Sequence, residues 1–243
     1  MPLKKIGAFA EYAAIDSRAL ALLPSNLNLT NGAAAALTGL TAYQALSEEL
    51  NVQAGESLFI PGASGSFGQL AVPLAKKLGA KVIASGNGAS RQRVLALGAD
   101  QYLDYRQENY WEKIAQVDYV IDTLGPQEFA HELSVIKKGG RLLSLRTGPN
   151  KLFAQRRDFP NWKKVLFSAA GAKFDRQAKQ AGVQYRFMFV RSSGDQLRTL
   201  ARIIEEEKIV PQVDPHFFKL EEADQALQFV AQGHPQGKVI IKF

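Results

Sequence analysis

The chain has 243 residues, 46% hydrophobic and 22% charged, which excludes wholesale disorder and allows one large domain or one domain with a partner. Zero cysteines remove disulfides, thiolate ligation of zinc or iron–sulfur clusters and cysteine nucleophiles together, and fit a reducing compartment. The formal charge of +7 suits an anionic partner, a phosphate-bearing small molecule as readily as nucleic acid.

In chain order, the opening Met1-Pro-Leu-Lys-Lys-Ile6 lacks the apolar core of a signal peptide. No later apolar run approaches the roughly 20 residues that span a bilayer. The expectation is a soluble, cytoplasmic protein. Gly7–Ile15 alternates like a strand and Gly32–Leu46 reads as a small-residue helix. From Ser57 to Val190 short apolar runs alternate with helical patterns, which predicts a parallel sheet covered by helices on both faces. The runs are Ser57–Pro61, Lys81–Ser85, Gln101–Leu103, Asp118–Asp122, Arg141–Leu145 and Arg186–Val190, rich in Val, Ile, Leu and Phe as doubly buried strands should be. Ser66–Leu78 is predicted helical with a stop at Gly79, and Ser90 is predicted to cap a helix ending near Gly98. Beyond the sheet, Asp195–Glu207 reads as helix, Val213–Leu220 as extended, Glu221–Gln232 as helix and Lys238–Phe243 as extended, the pieces of a second domain.

The segment Lys151–Lys179 holds eight basic residues against two acidic ones, with Phe153, Phe159, Trp162, Phe167 and Phe174 interleaved. A nucleic-acid surface has this composition. A helix pair whose aromatics face the core has it too, and aromatic stripes at helical spacing favour that second reading.

Chemistry enters at Ser57-Leu-Phe-Ile-Pro-Gly-Ala-Ser-Gly-Ser-Phe-Gly68, a strand running into a G-x-x-G-x-x-G turn that opens a helix. Gly62 permits the tight turn, Gly65 lets backbone N–H groups approach a pyrophosphate, and Gly68 allows the helix to pack on the strand. The helix N-terminus then faces the anion. Other templates fail. Gly62-Ala-Ser64-Gly65 brings its second glycine too early for a nucleophile elbow, and Gly233-His-Pro-Gln-Gly-Lys-Val239 is too short for a Walker A loop and lacks its Ser/Thr. A dinucleotide site selective for NADH would place an acid about 20 residues past the glycines to meet the ribose. There is no Asp or Glu from Gln69 through Ala99; the second strand instead leads into Ser85, Asn87, Arg91 and Arg93, neutral donors and guanidinium groups that suit a 2′-phosphate. NADPH is the expected cofactor.

With Gly62-Ala-Ser-Gly-Ser-Phe-Gly68, Leu97-Gly-Ala-Asp100, Leu103-Asp-Tyr-Arg106, Val120-Ile-Asp-Thr-Leu-Gly125 and Gly233-His-Pro-Gln-Gly-Lys238 in this order, the chain resembles the zinc-free quinone oxidoreductase branch of the medium-chain dehydrogenase/reductase superfamily. Gly7-Ala-Phe-Ala-Glu-Tyr12 and Ala36-Leu-Thr-Gly-Leu-Thr-Ala-Tyr43 are similar to the family's last barrel strand and the helix leading into its cofactor domain. The resemblance implies an α/β fold, a Rossmann-type doubly wound parallel six-stranded sheet with remnants of a GroES-like β-domain. On that division residues 1–30 are what is left of the GroES-like domain, 31–208 the cofactor domain and 209–243 the return to the first. Most of the barrel is expected to be absent.

The resemblance further implies that the backbone of Ser64, Gly65, Ser66, Phe67 and Gly68 holds the pyrophosphate. Asn87 and neighbouring Ser85 or Arg91 would meet the 2′-phosphate, with Tyr105 beside that phosphate or the adenine ribose and Lys238 a second cationic phosphate contact. Thr38 would lie near the nicotinamide, Leu124 on its ribose, and backbone around Ser144 and Phe187–Phe189 on its carboxamide. Zinc-dependent relatives use Cys and His ligands; with no cysteine and His131, His216 and His234 scattered, no metal site is expected.

The implied reaction is hydride transfer from NADPH to a quinone or an α,β-unsaturated carbonyl, which needs no metal because the conjugated acceptor takes up the charge. No side chain stands out as proton donor, and no Tyr-x-x-x-Lys pair occurs. The family also implies a homodimer pairing strand 186–190 edge to edge, which would bury an apolar strand edge. The alternative is a shortened, catalytically weak or inactive module that binds NADPH, or RNA through its basic surface.

Overall fold

In the computed structural model, which describes residues 10–233 and 235–243, the small-residue stretch before the sheet forms α1 (Leu29–Gln44), continued by one π-helical turn, Ala45–Glu49. Arginines from later strands close that turn: Arg141 donates to the Leu50 carbonyl and Arg186 to that of Glu49, while Arg156 pairs with the Glu49 carboxylate at 2.7 Å. The alternation then unfolds as β1 (Ser57–Ile60), α2 (Gly68–Lys77), β2 (Lys81–Gly86), α3 (Arg91–Ala96) and β3 (Gln101–Asp104). The second half runs α4 (Tyr110–Lys113), β4 (Val117–Asp122), α5 (Phe129–Ser134), β5 (Ile136–Ser144), α6 (Lys151–Gln155), α7 (Asn161–Gln180) and β6 (Gln184–Phe187).

All six strands are parallel, in the order β3-β2-β1-β4-β5-β6. The order reverses between β1 and β4, and a crevice outside the carboxyl ends of the strands opens at such a reversal. Flanking helices cover the apolar strands, and Phe59, Val120, Leu142, Phe129, Tyr110, Tyr185 and Phe153 form one buried cluster.

This sheet belongs to the compact unit Ala42–Phe189; Met1–Thr41 and Val190–Phe243 form a second unit. In the second, α8 (Gly194–Glu206) is N-capped by Ser193. β7 (Val213–Lys219) and β8 (Lys238–Lys242) pair in parallel across α9 (Ala223–Gln232). Asn26 ties the N-terminal segment to this unit through the carbonyls of Ile204 and Ile209, at 3.2 and 3.3 Å.

Several expectations need correction. Of the strand expected over Gly7–Ile15, residues 7–9 lie outside the described residues and 10–15 form no strand, having no neighbouring strand to bond with among the described residues. β5 begins at Ile136 rather than Arg141: Ile136 pairs with Val117, the register then shifts across Lys137-Lys-Gly-Gly140, and the regular ladder with β4 resumes at Arg141. β6 covers Gln184–Phe187, not Arg186–Val190; beyond it the Phe189 carbonyl is taken by Arg157 at 2.8 Å. The helix expected over Ser66–Leu78 starts two residues later, at Gly68. Ser90 stands at the N-cap position of α3 but its side chain makes no capping bond; Asn87 caps the short turn Gly88–Ser90 just before it, its Oδ1 accepting from the Ser90 N–H at 3.0 Å.

Candidate functional site

The glycine turn sits where β1 hands over to α2, at the reversal of strand order. Gly62 takes the left-handed conformation with φ +68, and a Cβ there would meet Thr123 Oγ1 at 2.8 Å and Leu124 at 3.2 Å, so the β4 loop lies directly against the turn. Thr123 Oγ1 donates to the Pro61 carbonyl at 2.8 Å and fixes that contact. At Gly68 a Cβ would fall 2.1 Å from the Ala63 carbonyl oxygen, which enforces glycine where the helix closes on the strand. Gly65 differs: it is exposed, and a Cβ would meet only the Gly62 carbonyl oxygen, at 3.5 Å. Nothing in the protein itself demands a glycine there. The missing side chain leaves the backbone there open to close approach.

The carboxyl ends of β2 and β3 close on the same turn. Gly86 is pressed between Ser64 and Tyr102, since a Cβ would meet the Tyr102 hydroxyl at 2.3 Å and Ser64 Cβ at 2.7 Å. Tyr102 donates to the Asn87 carbonyl at 2.7 Å, and burial with the nearby Asp104 charge pushes its phenol up to about 12. The Tyr105 N–H donates to the Gly86 carbonyl at 3.1 Å, while the Tyr105 ring is 58% exposed with Arg106 beside it. Arg93 Nη2 donates to the Ser64 carbonyl at 2.8 Å and to Ser90 Oγ at 3.1 Å. Its Nη1 is buried with no hydrogen-bond partner among the described residues. The guanidinium as a whole is half-buried, so a positive charge stands beside the glycine turn, where it favours an approaching anion.

Ser64, Gly65, Ser66, Phe67, Gly68, Ser85, Asn87 and Tyr105 therefore gather at one carboxyl edge together with Arg93. Arg91 is exposed at the start of α3, and Ser85 is buried, its carbonyl accepting from the Ala63 N–H at 2.8 Å.

Toward β4 and β5 the edge is organised by a residue that had no assigned role in the motif Val120-Ile-Asp-Thr-Leu-Gly125. Asp122 is fully buried, and its Oδ1 accepts from the N–H groups of Leu124 and Gly125 at 2.8 and 2.7 Å. Oδ2 accepts from Ser144 Oγ at 2.5 Å and Thr147 Oγ1 at 2.7 Å. Ser144 Oγ in turn accepts from the N–H groups of Arg146 and Thr147. One carboxylate thereby fixes both loops that follow β4 and β5, leaving Leu124 43% exposed at the crevice. The Ser144 side chain is buried in this network. Close by, Glu132 is also fully buried; burial, then the negative charges of Asp122 and Glu128 and a hydrogen bond to Asp122, push its carboxyl up to about 10. It is a neutral acid at physiological pH.

Phe187 ends β6 buried against Phe153, and Phe189 follows at 58% exposure. Thr38, buried on α1, and Lys238, half-buried at the start of β8, belong to the other unit. Asp104 was overlooked at the sequence level: its carboxylate faces Gly88, 2.5 Å from where a Cβ would stand. It accepts from the Arg106 N–H and from Gln107 Nε2, which commits it to the turn after β3. The residues present do not fit a zinc site: there is no cysteine, and no group of three His, Asp or Glu suited to a metal occurs among the described residues. His131 stacks on Trp111 at 3.8 Å, His216 bonds Asp214 at 2.8 Å, and His234 lies outside the described residues.

With this geometry in hand, similarity to known proteins is informative. A family model described as zinc-binding dehydrogenase matches residues 97–241. The chain is 30% identical over 241 residues to a 2-methylene-furan-3-one reductase of Solanum lycopersicum, covering 98% of this chain and 53% of that protein. It is equally 30% identical, with the same coverage, to an NADPH-dependent alkenal/one oxidoreductase of Arabidopsis thaliana. The quinone oxidoreductase of Coxiella burnetii superposes with a TM-score of 0.74 at 25% identity, covering 90% of this chain and 62% of that one. The chain thus spans about half the length of the curated relatives it matches. Six parallel strands, a glycine turn at the reversal of order and matches along nearly the whole chain lead to one assignment: the chain belongs to the zinc-binding dehydrogenase family, among the quinone oxidoreductase-like members of the medium-chain dehydrogenase/reductase superfamily.

Proposed function

We propose that the chain works as a zinc-independent, NADPH-dependent oxidoreductase that reduces quinones or α,β-unsaturated carbonyls. The observation that carries this reading is the open approach to the backbone at Gly65 beside the guanidinium that Arg93 holds against Ser64, a backbone cradle and a fixed positive charge where a phosphorylated dinucleotide would need them. The names of the relatives, reductases of furanones and alkenals and an oxidoreductase of quinones, support the acceptor class.

In this reading the N–H groups of Ser64–Gly68 bind the pyrophosphate at the start of α2, and Arg93, Arg91, Asn87 and Ser85 receive the 2′-phosphate. Tyr105 lies along the adenosine, and Lys238 adds a second cation. Leu124 bears on the nicotinamide ribose, backbone around Ser144 and Phe187–Phe189 orients the carboxamide, and Thr38 lies near the ring. When bound, NADPH supplies a hydride to an electron-poor acceptor, whose conjugation stabilises the developing charge. The chain's own contribution is position, through the loops that Asp122 holds, and exclusion of water; the proton comes from solvent.

The setting proposed is a cytoplasmic, soluble protein; no described helix is long and apolar enough to cross a membrane. A homodimer through β6 fits the sheet order, in which β6 is terminal. Oxidation of NADPH by a simple quinone or an enone, followed by absorbance, tests the activity. Turnover in the presence of acceptor supports the enzyme; tight NADPH binding without oxidation keeps the site and replaces the enzyme with a binding module.

A further inference from the structure

Helix α7 has two distinct faces. Phe167, Gly171, Phe174 and Ala178 recur at helical spacing and turn inward, the two phenylalanines and Ala178 packing with the aromatic core and Gly171 fitting against Asn150. The core reading of the basic, aromatic segment therefore holds for Phe153, Phe159, Phe167 and Phe174. It fails for Trp162. That residue is 65% exposed, with Val165 at 69% and Leu166 at 55% on the same side of the helix.

Positions 162, 165, 166, 169, 173 and 176 share one face at 3.6 residues per turn, so this outer stripe starts apolar and ends with exposed Lys173 and Arg176. Lys163 Nζ lies 5.3 Å from the centre of the Trp162 ring. Of the two acidic residues in the segment, Asp175 is half-buried and bonded to Asn150 at 2.7 Å, which leaves the outer face cationic. Helix formation and core packing do not require large apolar side chains here; polar residues of good helix propensity would serve as well.

We infer that this face of α7 docks the protein onto an anionic lipid bilayer surface. Tryptophan with flanking lysine is suited to the headgroup layer, Val165 and Leu166 to the boundary with the acyl chains, and Lys163, Lys173 and Arg176 to anionic headgroups. The same stripe is poorly matched to single-stranded nucleic acid. Val165 and Leu166 have no π face for a base, and the segment's phenylalanines are packed in the core.

The test is co-sedimentation of the full chain with phosphatidylcholine vesicles with and without phosphatidylserine, beside a V165S/L166S double variant. Because both positions are exposed, the variant keeps its melting temperature and NADPH affinity. The expected result is binding that depends on phosphatidylserine, declines with added salt, and weakens about tenfold or more in the variant. Tryptophan emission should shift to the blue on binding, and a W162F variant should lose that shift. No binding to anionic vesicles, or binding undiminished in the double variant, overturns the proposal. So does loss, in that variant, of binding to a single-stranded RNA oligonucleotide or of a dimer in place of vesicle binding, since either gives the face to another partner.

Discussion

Arg93 donates from Nη2 to the Ser64 carbonyl at 2.8 Å, linking the helix after the second strand to the glycine turn after the first. The same guanidinium keeps Nη1 buried and without a partner among the described residues. Replacing it tests which phosphate it serves. Arg93→Gln should weaken NADPH about tenfold or more, the size of a lost charge-assisted hydrogen bond, while NADH weakens far less. Equal losses for both cofactors in paired calorimetric titrations would mean that Arg93 only braces the turn.

The three glycines of the turn should separate by substitution. Gly68→Ala drives a methyl group into the Ala63 backbone, 2.1 Å from its carbonyl oxygen, and should destabilise the protein by about 1–3 kcal/mol in urea unfolding. Gly65→Ala meets only ordinary contact at 3.5 Å and should leave stability unchanged while sharply reducing NADPH affinity. A Gly65→Ala protein that binds NADPH normally contradicts the proposed cradle.

Asp122 accepts four hydrogen bonds from two loops, two of them from backbone N–H groups that cannot turn away. Asn at this position keeps one oxygen for Leu124 and Gly125 and sets an NH2 against the hydroxyls of Ser144 and Thr147. Asp122→Asn should therefore cost about 1–3 kcal/mol. Faster amide exchange at Leu124, Gly125, Arg146 and Thr147 would locate the loss, and unchanged exchange there would remove Asp122 as the organiser of this edge.

Glu132 gives a pH dependence of definite sign. Its carboxyl rises from 4.5 to about 10 in the folded protein, so across that interval the native state holds a proton that the unfolded chain has released. Raising the pH then favours unfolding, with a slope of up to about 1.4 kcal/mol per pH unit from this group. Stability should fall from about pH 5 toward pH 10 in chemical denaturation, and Glu132→Gln should flatten the fall. An identical slope in the variant would show that Glu132 does not govern it.

The sheet was legible because Leu58-Phe-Ile60, Val82-Ile-Ala84 and Tyr119-Val-Ile121 are apolar runs separated by helical patterns and glycine stops. The glycine turn was legible from its spacing between a strand and a helix, although only Gly62 and Gly68 answer a steric demand of the protein itself. Boundaries set by backbone pairing were not: β5 starts at Ile136 because Val117 pairs with it upstream of the irregular stretch Lys137-Lys-Gly-Gly140, where the register shifts. Side-chain partnerships across the chain were also hidden. Asp122 reads as a strand-end acid until Ser144 and Thr147 are brought to it, and the short turn that Asn87 caps ahead of Ser90 shows only in three dimensions. Burial of Glu132 on a short helix has no signature at all in spacing or composition.

The central claim is that the carboxyl edge of β1 and β2 receives a dinucleotide phosphorylated on its ribose. Titration of the purified chain with NADPH and NADH, in parallel with the Gly65→Ala protein, tests it most directly. The account predicts saturable binding, tighter for NADPH than for NADH, and lost on substitution of Gly65. Absence of binding at saturating NADPH, or equal affinity in both proteins, would contradict it.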